Sequence, residues 1–192
     1  DSKRAKKLEP GTCSFYDNAA YPFEISAHPV DHSIFGATAY ILQGDTTIAY
    51  TGDFRLHGRN GDATRDFVKK AKDASILITE GTRAGRNDSP DNETTSEKSV
   101  CEVCREKVES ASGLIIADFS ARNFERLESF QNIAENMGRE LVVPAKDIYM
   151  LQALACIDNA CKMDSLRVYS EIGNKSRKWE QEVVQPLFFD QY

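Results

Sequence analysis

Short stretches in which apolar and polar residues alternate dominate the first part of the chain. Phe23 to Val30 predicts a strand, Ala37 to Gln43 a second, and Thr47 to Thr51 a third. Between the second and third, Gly44-Asp45 predicts a tight turn, and glycine at the first turn position suits a type II′ hairpin. Helical spacing follows over Ala63 to Lys72. The apolar run Ser75 to Thr79 then predicts a short buried strand ending at Glu80-Gly81-Thr82.

The pattern changes after residue 82. Residues 83–93 are polar and rich in Gly, Asn and Asp, which marks a loop or linker. Thr94 and Glu97 form a T-x-x-E capping box, and the helix it starts places Val100, Val103, Cys104 and Val108 on one face. From there the order alternates. Gly113 to Phe119 predicts a strand. Ala121 to Met137 predicts a helix ended by Gly138. Glu140 to Val143 predicts a strand, Lys146 to Ile157 a helix, and Leu166 to Tyr169 a strand. Such βαβα order implies a parallel sheet covered by helices. The expectation is an α/β protein with antiparallel strands in a first domain, 1–85, and a doubly wound layer in a second, 86–192.

Composition narrows the class. The chain has 192 residues, 41% hydrophobic and 28% charged, with a net charge of −6. That is the profile of a folded soluble protein. No apolar run approaches the roughly 20 residues that span a bilayer. The strongly basic footprint that favours nucleic acid is absent. A nuclease is not thereby excluded, since only the substrate channel must be positive and metal ions can supply that charge. Five cysteines and no secretory signal point to free thiols in a reducing cytoplasm. Cys101 and Cys104 share a helical face, where core thiols are favoured over zinc ligation. The chain opens on Asp1 and closes through the apolar Pro186-Leu187-Phe188-Phe189. Both ends are compatible with a piece of a longer protein, and equally with processing.

Chemistry concentrates at predicted strand ends. His32 lies in Asp31-His32-Ser33-Ile34-Phe35-Gly36-Ala37, beyond the first strand. Imidazole beside small residues suits a transition metal, or a loop hydrogen bond. Asp53 ends the third strand in Tyr50-Thr51-Gly52-Asp53-Phe54. Its two oxygens can bridge metals about 3.5–4 Å apart, or cap the following loop. The preceding Gly52 allows close approach of other backbone. Glu80 ends the strand after that, where function collects in open α/β sheets, or where an acid simply orders the next turn. Asp118-Phe119-Ser120-Ala121-Arg122-Asn123 runs from strand into helix. Ser120, Arg122 and Asn123 there could bind phosphate at the helix N-terminus, or Ser120 could serve as a plain N-cap.

The serial order of these motifs resembles the metallo-β-lactamase superfamily, β-CASP branch, which includes ribonuclease J and the endonuclease of messenger-RNA 3′-end processing. Asp31 to Ala37 looks like the family's third motif, whose histidine binds zinc. Tyr50 to Phe54 looks like the fourth, whose aspartate bridges two zincs. Thr79-Glu80-Gly81-Thr82 looks like the acidic motif that opens the β-CASP insertion, and Gly113 to Ser120 like its first crossover. The resemblance covers roughly residues 23–155.

It implies part of an αββα sandwich joined to an incomplete Rossmann-like domain, in a zinc-dependent hydrolase that cuts RNA. Two zinc ions would serve the intact parent. His32 and Asp53 would be metal ligands, Asp53 and Glu80 the catalytic acids, and Ser120, Arg122 and Asn123 the substrate contacts. A homo-oligomer stays open and a membrane partner is not expected. The chain departs from the family in lacking H-x-H-x-D-H. Its only histidines are His28, His32 and His57, and Phe35 stands where several members have proline. Asp31, His28 and His57 are expected to have ordinary structural or solvent roles. The rival readings are a small-molecule ester or thioester hydrolase of the same superfamily and a degenerate, non-catalytic scaffold.

Overall fold

The computed structural model describes residues 13–16, 23–82, 84, 96–120, 122–155, 163, 165–169 and 178. Most of the linker expected at 83–93, and Thr94 of the expected capping box, lie outside the described residues. The chain is mixed α/β and divides into two units, Asp1–Val100 and Cys101–Tyr192.

The first unit is built on a sheet of five strands. They are β1 (Cys13–Tyr16), β2 (Phe23–Pro29), β3 (Thr38–Gln43), β4 (Thr47–Tyr50) and β5 (Ile76–Ile78), in that spatial order. Strands β1 to β4 are antiparallel neighbours, whereas β5 joins β4 in parallel. The sheet is therefore mixed, not purely antiparallel as expected. The helix α1 (Gly61–Ala71) is the reason, since it carries the chain back across the sheet before β5 begins. The β3–β4 hairpin also differs from expectation. Gln43 pairs with Thr47, so three residues close it, and Gly44 lacks the positive φ that a type II′ turn needs.

Helix α1 is amphipathic. Its Phe67 packs with Val30, Ala39, Ile41 and Ala49, while the neighbouring Val68 stays exposed. Opposed residues of neighbouring strands share a face, and the pairs His28–Ala39 and Ile41–Ala49 put these partners on one side of the sheet. Phe67 also meets the His28 ring at 6.0 Å between centroids.

Helix α2 (Glu97–Ser110) begins in the first unit and ends in the second. Its first turn is held by Ser96, whose Oγ accepts from the Ser99 N–H at 3.1 Å. Glu97 is the first residue of the helix. Cys101 and Cys104 are free and half-buried.

The second unit contains α3 (Phe124–Asn136), β6 (Leu141–Pro144), α4 (Ala145–Ala155) and β7 (Leu166–Tyr169). Strands β6 and β7 are parallel, as the alternating order predicts. Leu127, Val143, Ile148, Leu151 and Leu166 form the core. Gly138 takes φ +62 just after α3, and Arg139 N–H reaches back to the Ala134 carbonyl at 2.9 Å, a glycine-ended helix stop. Residues 113–119 do not form the expected strand. The Arg139 guanidinium holds the carbonyls of Ala111 and Gly113, but Leu114 and Ile116 are 91% and 86% exposed. Among the described residues no helix is long and apolar enough to cross a membrane.

Burial makes two side chains testable. Truncating Phe67 leaves a cavity under the sheet, so Phe67→Ala is expected to lower stability by about 3–5 kcal/mol. Val68→Ala should change it by less than about 0.5 kcal/mol. Urea unfolding midpoints check both. In α4, the Asp147 side chain is buried, its Oδ1 accepts no hydrogen bond among the described residues, and burial raises its pKa against an opposing pull from Lys146. The folded state then holds this proton more tightly than the unfolded state. The group's contribution is complete below the ordinary value of 3.8 and declines as pH rises from there through the raised folded pKa. Asp147→Asn should flatten that decline in a series of unfolding midpoints across acidic pH.

Candidate functional site

The parallel pairing of β4 with β5 sets two strand tips side by side. Thr51 N–H donates to the Ile78 carbonyl at 3.0 Å, and the Thr51 hydroxyl meets the Thr79 hydroxyl at 3.4 Å. Asp53 follows the first tip and Glu80 the second. Gly52 bridges Thr51 and Asp53 with φ +58, and a Cβ there would stand 3.0 Å from the Thr38 carbonyl oxygen. Only glycine meets both demands without strain, which is the close approach that the sequence implies.

Glu80 is the link between the tips. Its Oε1 accepts from the Phe54 N–H at 3.1 Å, one residue beyond Asp53. Its pKa lies below the usual glutamate range, because the Thr82 hydroxyl donates to it first, then the Phe54 N–H, with a smaller pull from His32. Glu80 is thus ionised at neutral pH and lies within the electrostatic reach of His32. Asp53 itself is exposed.

His32 sits in the connection between β2 and β3, which closes through Val30 N–H to the Ala37 carbonyl at 3.0 Å. Its Nδ1 accepts from the Ile34 N–H at 3.4 Å. While that bond stands, a neutral ring carries its proton on Nε2. Ligating a metal through Nε2 requires the other tautomer, with Nδ1 protonated and the Ile34 contact released. Zinc takes four ligands, or three and a water. Among the described residues no three His, Cys, Asp or Glu side chains gather to hold a metal. His32 and Asp53 therefore do not make a zinc centre by themselves.

A buried clasp lies behind these loops. Asp31, next to His32, is 1% exposed. Its carboxylate accepts from Arg55 Nε at 3.2 Å and from the Gly58 N–H at 2.7 Å. The Asp31 carbonyl accepts from the Arg55 N–H at 2.7 Å. Arg55, two residues past Asp53, also donates to Glu97 Oε1 at 3.2 Å. Thr64 completes the set. Its hydroxyl accepts from the Asp31 N–H at 2.8 Å and donates to the Arg55 carbonyl at 3.0 Å. Gly58 has no room for a side chain, since a Cβ would collide with Arg55 and Asp31.

The other two histidines lie in the first unit. His28 Nε2 lies 2.9 Å from the Ser26 hydroxyl, and burial, then Lys70, lowers its pKa. The His57 carbonyl accepts from the Glu97 N–H at 3.1 Å. In the second unit, helix α3 starts at Phe124, and Asn123 rather than Ser120 caps it, accepting from the Arg126 N–H at 3.1 Å. The Ser120 carbonyl accepts from the Asn123 N–H, while the side chains of Ser120 and Arg122 are exposed. Asn123 Oδ1 is therefore committed to the helix.

Sequence reasoning brought His32, Asp53 and Glu80 forward but missed Arg55, Glu97 and Thr64. Arg55 reads as one more polar loop residue, and Glu97 reads as a capping acid. The available signal was Gly58, a glycine with no turn to explain it.

The clasp predicts a large asymmetric cost. Arg55→Met should destabilise the first unit by about 3–5 kcal/mol, since it removes the cation that lies between two buried carboxylates. Asp31→Asn with Glu97→Gln in the Arg55→Met background should recover part of that loss. Denaturant unfolding of the variants measures both.

No family model matches this chain and no curated protein matches it. Among solved structures, it is similar to the crystal structure of a protein of unknown function from Enterococcus faecalis V583. The identity is 26% and the TM-score 0.62, over 88% of this chain and 38% of that one. The chain thus spans well under half the length of that structure.

Proposed function

We propose that this chain is part of a metal-dependent hydrolase that cleaves RNA phosphodiester bonds, in the β-CASP branch of the metallo-β-lactamase superfamily. The observation that supports this most is the Glu80 bond to the Phe54 N–H, which draws the Asp53 loop and the His32 field to adjacent strand tips. In this reading the first unit is part of an αββα sandwich and the second part of a Rossmann-like insertion. His32 and Asp53 are two of the zinc ligands, and the remaining ligands belong to an H-x-H-x-D-H segment that this chain lacks. Glu80 fixes the Asp53 loop by accepting the Phe54 N–H. Ser120 and Arg122 are left as contacts for substrate phosphate, because Asn123 caps α3.

The rival reading is a degenerate, non-catalytic scaffold of the same fold. Metal analysis and RNA cleavage assays separate the outcomes. The chain alone is expected to bind zinc substoichiometrically and to leave RNA intact. Tight equimolar zinc, or RNA cleavage lost on Asp53→Ala, would show a complete site and overturn the partial-site reading. A longer polypeptide joining this chain to an H-x-H-x-D-H segment should cut RNA and lose that activity on Asp53→Ala. Full zinc loading without cleavage would favour the scaffold.

A further inference from the structure

Helix α2 carries two thiols that neither the clasp nor the strand-tip site uses. Cys101 and Cys104 belong to the second unit, and both are free and half-buried. The helix is continuous through them. Residues three apart on a helix lie on one face, with Cβ atoms about 5–6 Å apart. A disulfide needs about 3.5–4.5 Å between those atoms. The helix therefore holds the pair too far apart for a relaxed S–S bond. An ion between the sulfurs makes up the difference, since two metal–sulfur bonds of about 2.3 Å replace one S–S bond of about 2.05 Å.

We propose that Cys101 and Cys104 form a two-thiolate site for a soft monovalent cation, Cu(I). The donor set selects the ion. Thiolate sulfur favours Cu(I), zinc and iron–sulfur clusters. Structural zinc and iron–sulfur clusters each take four protein ligands. Among the described residues no third His, Cys, Asp or Glu gathers with this pair. Cu(I) is satisfied by two thiolates. Binding moves protons and no electrons. Each thiol loses its proton to water, two Cu–S bonds form, and the complex carries one negative charge. Positions one turn away along the helix answer that charge. Lys98 stands three before Cys101, Arg105 four after it, and Lys107 three after Cys104. The one acid at such spacing is Glu97, four before Cys101, and Arg55 already holds it. Val100 and Val108 stand four residues to either side of Cys104, and Val108 is buried. An apolar border of this kind limits the access of water to a metal site. This inference is independent of the RNA reading.

Anaerobic titration of the reduced 192-residue chain with Cu(I), against a chromogenic Cu(I) chelator, tests it. The expected result is a tight equivalent that Cys101→Ser or Cys104→Ser each weakens at least roughly 100-fold, because a linked second thiolate is lost. Cys104→Ala with Val103→Cys keeps the number of thiols but sets them two positions apart, where side chains do not face each other. It should bind no better than the single variants, and Val103 is 54% exposed, so the helix tolerates the change. A further readout needs no variant. Trypsin cuts after Lys98 and Arg105, and residues 99–105 contain these two cysteines and no other. Cu(I) bound to the folded chain should protect both from iodoacetamide before digestion, as read by mass spectrometry of that peptide. Alkylation of both in the loaded chain overturns the proposal. A tight equivalent that survives Cys101→Ser with Cys104→Ser overturns it in favour of the other cysteines. Full affinity in the Val103→Cys variant overturns it as binding by any two thiols. Zn(II) held as tightly by the pair overturns the two-ligand site.

Discussion

The Arg55 guanidinium holds the first unit's loops in place. It lies between two buried carboxylates, Asp31 and Glu97, at 3.2 Å from each. A buried cation there is favoured by the two acids that face it, and each acid by the cation. Everything at the strand tips hangs from this arrangement. Asp31 fixes the residue next to His32, Arg55 fixes the chain just past Asp53, and Glu97 fixes the start of α2. The bare backbone of Gly58 lets the pair close, by leaving room for the guanidinium and adding an N–H to the Asp31 carboxylate.

Local pattern was enough to find most of the elements. Strands β2 to β4 and helix α1 are announced by a period of two or of 3.6 in their own residues, and β5 by a short apolar run. What the pattern leaves open is decided by distant neighbours. Strand β1 exists because β2 offers it an edge, and nothing in Cys13 to Tyr16 declares that. The opposite holds for Gly113 to Phe119, an apolar run that reads like a strand but is not one in the structure. The candidate site divides in the same way. His32, Asp53 and Glu80 were legible because each follows an apolar strand. The clasp was not, since its members are scattered polar residues whose partnership depends on the fold. Ser120 and Asn123 show a finer ambiguity: both are good caps, and helix geometry chose the later one.

Both units share a one-sided construction. In the first, α1 covers one sheet face and leaves Tyr50, Ile76 and Ile78 open on the other. In the second, the core lies against Leu141, Val143, Leu166 and Val168, while Val142 and Tyr169 stay exposed. Sheets with apolar residues on both sides are stable in layers on both sides. The similar structure from Enterococcus faecalis has well over half of its length outside the matched region, so the same two-unit core occurs there within a larger chain.

The clasp also governs the order in which the first unit can assemble. Asp31 and Arg55 are 24 positions apart, and Arg55 and Glu97 are 42 apart. The β2–β3–β4 meander needs only short loops to close and can form from neighbouring sequence. The guanidinium finds its second acid only after α1 and β5 have passed and the start of α2 has returned. Closing those longer loops has an entropic cost that the meander escapes. Until then Arg55 and Asp31 must keep their water. Completing the clasp thus draws on contacts of longer sequence range than the meander needs, and it ties the chain beside His32 and Asp53 into that longer closure.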